Sequence, residues 1–217
     1  MKFGALAAAF ALVFVGCGSD PKAVTNDNFR NAIVADFMKN PTHAKLCVPA
    51  LQTPYEMVPS PTNLVPEKAA PFDAVARAQY DALASVGLLT AARKSAPALD
   101  RIYPRHMTSV PVNEYRQTAL GVSNTSGATP GQFGSPGSLC YAMLGVDAVQ
   151  NWTEPGDLLG QRLTEVSYQP KLVDVAAWAR NPKVEAAFPQ IAESLATIGK
   201  TPRKIDLHLT NLGWESM

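Results

Sequence analysis

Histidine is scarce in this chain: His43, His106 and His208 are the only three, and none sits in an H-x-x-x-H or H-E-x-x-H spacing. Metal centres that are legible in a sequence place nitrogen or sulfur ligands close together on one element, so spacing alone offers no metal site and no cofactor. A G-x-S-x-G elbow is also missing. Gly134-Ser135-Pro136-Gly137 has the wrong spacing and lies in a segment rich in small residues, so nucleophilic catalysis has no motif to rest on. The glycines at 127, 131, 134 and 137 lack the Lys-Ser/Thr that completes a phosphate-binding loop. Charge of one sign is absent as well, with 19 Lys+Arg against 18 Asp+Glu. That balance excludes a general nucleic-acid or anionic-membrane surface. No internal repeat is present, and beyond the first fifteen residues no apolar run approaches membrane-spanning length.

What is present begins with Lys2, an unbroken apolar run from Phe3 to Val15, and then Gly16-Cys17-Gly18. A helix over that run reaches about 20 Å, short of the roughly 30 Å hydrocarbon core. It reads as a secretory signal over residues 1–16, to be removed rather than folded. Phe14-Val15-Gly16-Cys17 resembles the bacterial lipobox. The resemblance implies a bacterial lipoprotein whose mature chain begins at Cys17, with diacylglycerol on the sulfur, a palmitate-type acyl group on the nitrogen, and residues 17–25 as the lipidated tether. Two or three acyl chains anchor stably where one exchanges. Gly18 after the cysteine is compatible with an outer-membrane location facing the periplasm, in a cell that has one.

With Cys17 assigned to lipid, Cys47 and Cys140 remain as an even pair in an oxidising compartment, and a disulfide between them is expected. Thr25 or Asn26 opens a helix bearing Phe29, Ile33 and Phe37, and Asn40-Pro41 stops it. Seven prolines between 41 and 71 predict an extended surface crossing with no helix or central strand. A second helix is expected from Pro71, ending at Gly87. Residues 122–138 read as a Gly/Ser-rich linker. Beyond it, Leu139–Trp152 and Leu163–Tyr168 read as strands joined by a Glu154-Pro155-Gly156-Asp157 turn. Asp174 is expected to cap a helix with Trp178, and Asn181-Pro182 to open another that Pro189 kinks. Ile205, Leu207 and Leu209 alternate as a final strand that returns to the hairpin.

Leu83-Ala84-Ser85-Val86-Gly87-Leu88-Leu89 and Tyr115-Arg116-Gln117-Thr118-Ala119-Leu120-Gly121 resemble the helix-to-wing passage of winged-helix proteins, over about residues 72–121. The resulting expectation is an α+β fold. Residues 26–121 would form a helical, winged-helix-like half, and 139–217 a β-hairpin/two-helix/strand half. In a winged helix, Arg93, Lys94, Arg101, Arg105 and Arg116 would meet phosphates. Export makes DNA an improbable partner, and the cluster reads either as a solvated loop or as a patch for an anionic partner. Two further constellations stand in the sequence. Cys140 with His208 forms a thiol–imidazole pair only if the disulfide is absent. Glu154, Asp157 and Glu165 suit two-carboxylate hydrolysis less well than simple solvation of a turn. The function expected is therefore a lipid-anchored, non-enzymatic envelope protein that binds a protein or envelope component and no nucleic acid. The alternative is a cell-envelope hydrolase whose residues assemble only in three dimensions.

Overall fold

The computed structural model describes residues 20–51, 55–57, 66–99, 107–127 and 137–217. Residues 1–16, Cys17, Arg101 and Arg105 lie outside the described residues, as does 128–136 of the expected linker. The elements in order are α1 (Asn26–Lys39), α2 (Pro41–Ala44), β1 (Lys45–Pro49), β2 (Tyr55–Met57), α3 (Pro66–Ser85), β3 (Leu89–Leu99) and β4 (Met107–Gln117). There follow α4 (Ala119–Ser123), β5 (Thr125–Ser126), β6 (Ser138–Trp152), β7 (Gly156–Leu158), β8 (Gln161–Val173), a 3₁₀ turn (Ala177–Arg180), α5 (Pro182–Ala187), α6 (Pro189–Thr197), β9 (Arg203–Leu209) and β10 (Trp214–Ser216).

A curled antiparallel sheet of order β1-β6-β8-β9-β10, extended by β5 on β6 and β7 on β8, forms the body. A smaller sheet, β2-β4-β3, stands beside it. Helix α1 starts where Thr25 accepts from the Asn28 amide at 3.2 Å, satisfying one of the free N–H groups of the first turn. Its apolar stripe, Phe29, Ile33 and Phe37, is buried against Leu144, Val146, Val166, Tyr168, Leu207 and Trp214 of the large sheet. Phe29 lies edge-on to Trp152 at 5.2 Å and to Trp214 at 5.1 Å, the geometry that aromatic quadrupoles favour. A second core gathers Tyr80, Leu83, Leu88, Tyr115, Leu139, Tyr141, Trp178, Val184, Phe188 and Ile191 from α3, the small sheet and the short C-terminal helices.

Both cores draw on β6. Leu46 faces Ala142 while Cys47 faces Cys140, so Tyr141 is an extra residue, a β-bulge. Leu139, Tyr141 and Ala142 at the bulge serve the second core, and Leu144 and Val146 farther along serve the core under α1. Beside the bulge Cys47 and Cys140 are disulfide-bonded, closing a sequence separation of 93. No described helix is long and apolar enough to cross a membrane.

The expected winged-helix-like N-terminal half is not what forms. Gly87 does end α3 in a left-handed conformation at φ 79°, and β3 and β4 do pair as a hairpin. However, α1 packs on the large sheet and β1 pairs with β6, so the N-terminal segment completes the β body instead of building a helical half. Local patterns show that a stripe must be covered; they do not show by which distant element.

Smaller differences have similar causes. Pro41 begins the short α2, and α3 starts at Pro66, so the proline-rich crossing carries more helix than expected. β1, within the same crossing, is an edge strand ending at Pro49, a position where the missing N–H costs little. Gly156 and Asp157 join β7 rather than a turn, and the tight turn falls at Leu159-Gly160. Asp174 caps no helix and instead sits at φ 50°. Pro189 divides two short helices instead of kinking one.

Candidate functional site

The large sheet has a gap. On β6, pairing with β8 ends at Met143↔Val173, and pairing with β5 starts only at Leu139↔Thr125. Between these two ladders Cys140 and Tyr141 need other partners, since a buried peptide group left unpaired is costly. The Cys140 amide donates to the Asn124 carbonyl at 2.8 Å, and the Tyr141 carbonyl accepts from the Ala176 amide at 2.8 Å. Asn124 is itself fixed: its side-chain oxygen accepts from Trp178 Nε1 at 3.2 Å and its Nδ2 donates to the Leu120 carbonyl at 2.9 Å.

A cleft of about 220 Å³ opens over this gap. Lys45 and Asp174 bring opposite charges to it, Ser126 and Thr125 bring hydroxyls, and Cys140 of the disulfide lies in its wall. Asp174 holds a left-handed backbone as the chain leaves β8, a conformation that costs a non-glycine residue on the order of 1 kcal/mol and concentrates at functional sites. The volume is below the roughly 300–1,000 Å³ of small-molecule pockets. With a lysine and a carboxylate in its lining, it suits one polar group rather than a whole small molecule.

A second polar cluster lies at the end of α1. Asp36 is buried, and its Oδ1 accepts from Asn40 Nδ2 at 2.9 Å and from Ser216 Oγ at 2.8 Å. Its Oδ2 lies 2.9 Å from His43 Nδ1. Burial pushes the Asp36 carboxyl up, but the hydrogen bonds from Asn40, His43 and Ser216 together outweigh it and hold the group below its ordinary value. The His43 ring is half exposed, and the carboxylate orients it as a general base would be oriented. Ser216 spends its proton on that same carboxylate, and among the described residues no hydroxyl or thiol bonds the second ring nitrogen.

The residues singled out from sequence are placed as follows. Cys47 and Cys140 come together, which removes the thiol from any pair with His208. His208 is half-buried on β9, and its Nδ1 has no hydrogen-bond partner among the described residues. Lys94 and Arg116 flank one buried carboxylate, Glu114, at 2.6 and 2.5 Å. The Arg116 and Lys94 hydrogen bonds hold that carboxyl down to about 2. Arg93 is the next residue along β3 and by strand alternation points to the opposite face. Glu165 is ion-paired with Lys204 at 2.6 Å, and Glu154 and Asp157 are exposed. Among the described residues no group of three His, Cys, Asp or Glu side chains is arranged to hold a metal ion.

Sequence reasoning missed both clusters. The signal for Asp36–His43 is Asp36-x-x-x-Asn40-Pro41-x-His43, an acceptor one turn before a helix stop with two donors just beyond it. The cleft left no local signal, because it exists only where two ladders fail to meet. Comparisons with protein-family descriptions, with curated proteins and with solved structures find no match for this chain.

Proposed function

We propose that this protein is a membrane-anchored envelope lipoprotein, held by lipid on Cys17, that binds a protein or envelope component without catalysing a reaction. The observation that carries the reading is how the cysteines are used. Cys47 and Cys140 are joined, which suits an oxidising compartment, and the remaining Cys17 stands in the lipobox-like Phe14-Val15-Gly16-Cys17. The cleft lined by Lys45 and Asp174 supports the binding role, carrying both signs of charge and being too small for a free ligand of ordinary size. The outer membrane, with the body facing the periplasm, is the location that Gly18 suits.

Two measurements test this. Radiolabelled palmitate supplied to bacteria expressing the full chain should label it, and a Cys17→Ala form should stay unlabelled; an unlabelled wild type would remove the anchor. Detergent-solubilised envelope should yield a partner bound to the lipidated protein, and the double variant Lys45→Ala, Asp174→Ala should lose it. Unchanged recovery would take binding away from the cleft.

A hydrolase is the second reading, and one observation favours it: the buried Asp36 carboxylate that orients the His43 ring. Hydrolytic activity on cell-wall or lipid substrates that disappears in His43→Ala, with the fold retained, would displace the binding reading.

A further inference from the structure

The hairpin of β7 and β8 turns through two residues, Leu159 at φ 52° and Gly160 at φ 79°. Both central residues are left-handed, the arrangement of a type I′ turn, which takes Asn-Gly or Asp-Gly because a side chain with a Cβ resists that conformation. Here the first of the two is leucine, 98 % exposed, and its neighbour Leu158 is 60 % exposed. Backbone preference and solubility both argue for a polar residue at this position. A leucine that satisfies neither requirement points to a partner outside the folded chain.

The topology adds a third leucine. Leu163 pairs with His208, so the turn before Leu163 and the turn after Leu209 leave the sheet at the same end. The latter carries Leu212, 74 % exposed. The chain also enters at that end. Trp214 Nε1 donates to the Lys22 carbonyl at 3.2 Å, and Asn28 Nδ2 donates to the carbonyls of Asp20 and Ala23 at 2.8 Å each. Gly213 approaches Pro21 so closely that a Cβ on it would meet the Pro21 carbonyl oxygen at 2.9 Å. From Pro21 back to Cys17 is four residues, a reach of at most about 14 Å.

We infer that Leu158, Leu159 and Leu212 form an apolar wedge that inserts into the membrane surface beside the anchor. The inference rests on the reading that Cys17 carries lipid. With the anchor fixed in the bilayer, its short reach brings this end of the sheet against the headgroups. Exposed leucines at that place exchange water for acyl chains. Asp157 and Arg162 face each other across the hairpin, so charge gives the wedge no preference for anionic lipid. The wedge restrains the body's tilt, and through it the direction in which the cleft faces.

The test uses the full chain purified from bacterial membranes, carrying a polarity-sensitive fluorophore on Asn211→Cys or on Lys183→Cys of α5, in vesicles of acyl-brominated phosphatidylcholine with or without phosphatidylglycerol. Mass measurement reports whether Cys17 is lipidated. The expected result is blue-shifted, bromine-quenched emission at 211, equal in both vesicle types, and unquenched emission at 183. The double variant Leu158→Ser, Leu159→Asn, whose asparagine suits the turn, should lose the quenching at 211. A lipidated protein with no quenching at 211, or with quenching only in anionic vesicles, overturns the wedge and leaves the anchor standing. An unlipidated protein still quenched at 211 overturns the anchor alone, and one that is unquenched overturns both.

Discussion

The two cores that meet on β6 are closed by different means. Under α1, one helix lies on one continuous sheet: Phe29 and Ile33 are fully covered, and the wall opposite them is a hydrogen-bonded ladder from β6 through β8 to β9. The second core is assembled from the end of β1, α3, the small sheet, a 3₁₀ turn and two short helices, none of which ladders to all the others. The contrast teaches where each gets its stability. The first is held by burial and backbone pairing, the second by burial plus a covalent staple at the bulge.

Removing the staple should expose that difference most strongly. Cys47→Ala with Cys140→Ala is expected to cost about 4.5 kcal/mol by the loop-entropy argument, and hydrogen exchange should quicken first at Leu139, Val184 and Ile191. Equal quickening at Phe29 and Ile33 would show one cooperative core. Next is Phe29→Ala, expected to cost about 3–5 kcal/mol by denaturant melting, because its two tryptophan neighbours cannot both move into the void. A loss below about 1 kcal/mol would mean that the first core collapses around the void, contrary to the rigidity ascribed to it. Asp36→Asn comes third, at about 1–3 kcal/mol, since Asn40, His43 and Ser216 all aim donors at that carboxylate. Proteolysis from the C-terminus should quicken as β10 loosens, with the second core unaffected.

The smallest effect, and the most discriminating, is pH. Glu114 has a folded value near 2, against an ordinary 4.5, so its contribution is complete above pH 4.5 and is lost as pH falls towards 2. Adjacent Tyr115 is pushed up to about 12 by burial and by its hydrogen bond to Asp81. Its contribution is complete below pH 10 and is lost as pH rises towards 12. Melting temperature should therefore hold between pH 4.5 and 10 and fall on both sides, with Glu114→Gln flattening the acid arm and Tyr115→Phe the alkaline one. Asp36 also weakens in acid, its lowered carboxyl contributing above the ordinary carboxylate range and less below it. An alkaline arm that survives Tyr115→Phe would place its origin outside the small sheet.

Much of this architecture was legible locally. Helix α1 could be read from the spacing of Phe29, Ile33 and Phe37 and from the Thr25 cap, and β9, though not β10 after it, from the alternation of Ile205, Leu207 and Leu209. The disulfide was expected from the even pair of cysteines that remains once Cys17 is read as lipidated. What escaped was long-range. That β1 would pair with β6 is written in neither strand, because edge and partner are chosen by the whole sheet. The turn was misplaced because Glu154-Pro155-Gly156-Asp157 carries stronger turn chemistry than Leu159-Gly160. His43 and Asp36 lie on either side of a helix stop, where residue spacing no longer reports direction. The cleft is defined by missing pairs, which no residue type advertises.

Tyr141 turns the length of β6 into a matter of parity. Side chains on a strand change sides at every step except at the bulge, where Leu139 and Ala142 both lie opposite one face of β1, so losing this one residue would regularise pairing with β1 and still leave Leu144 and Val146 under α1. A single residue added or lost farther along, between Ala142 and Val146, would instead turn Val146 away from α1, so the strand tolerates a one-residue change at the bulge and not beyond it.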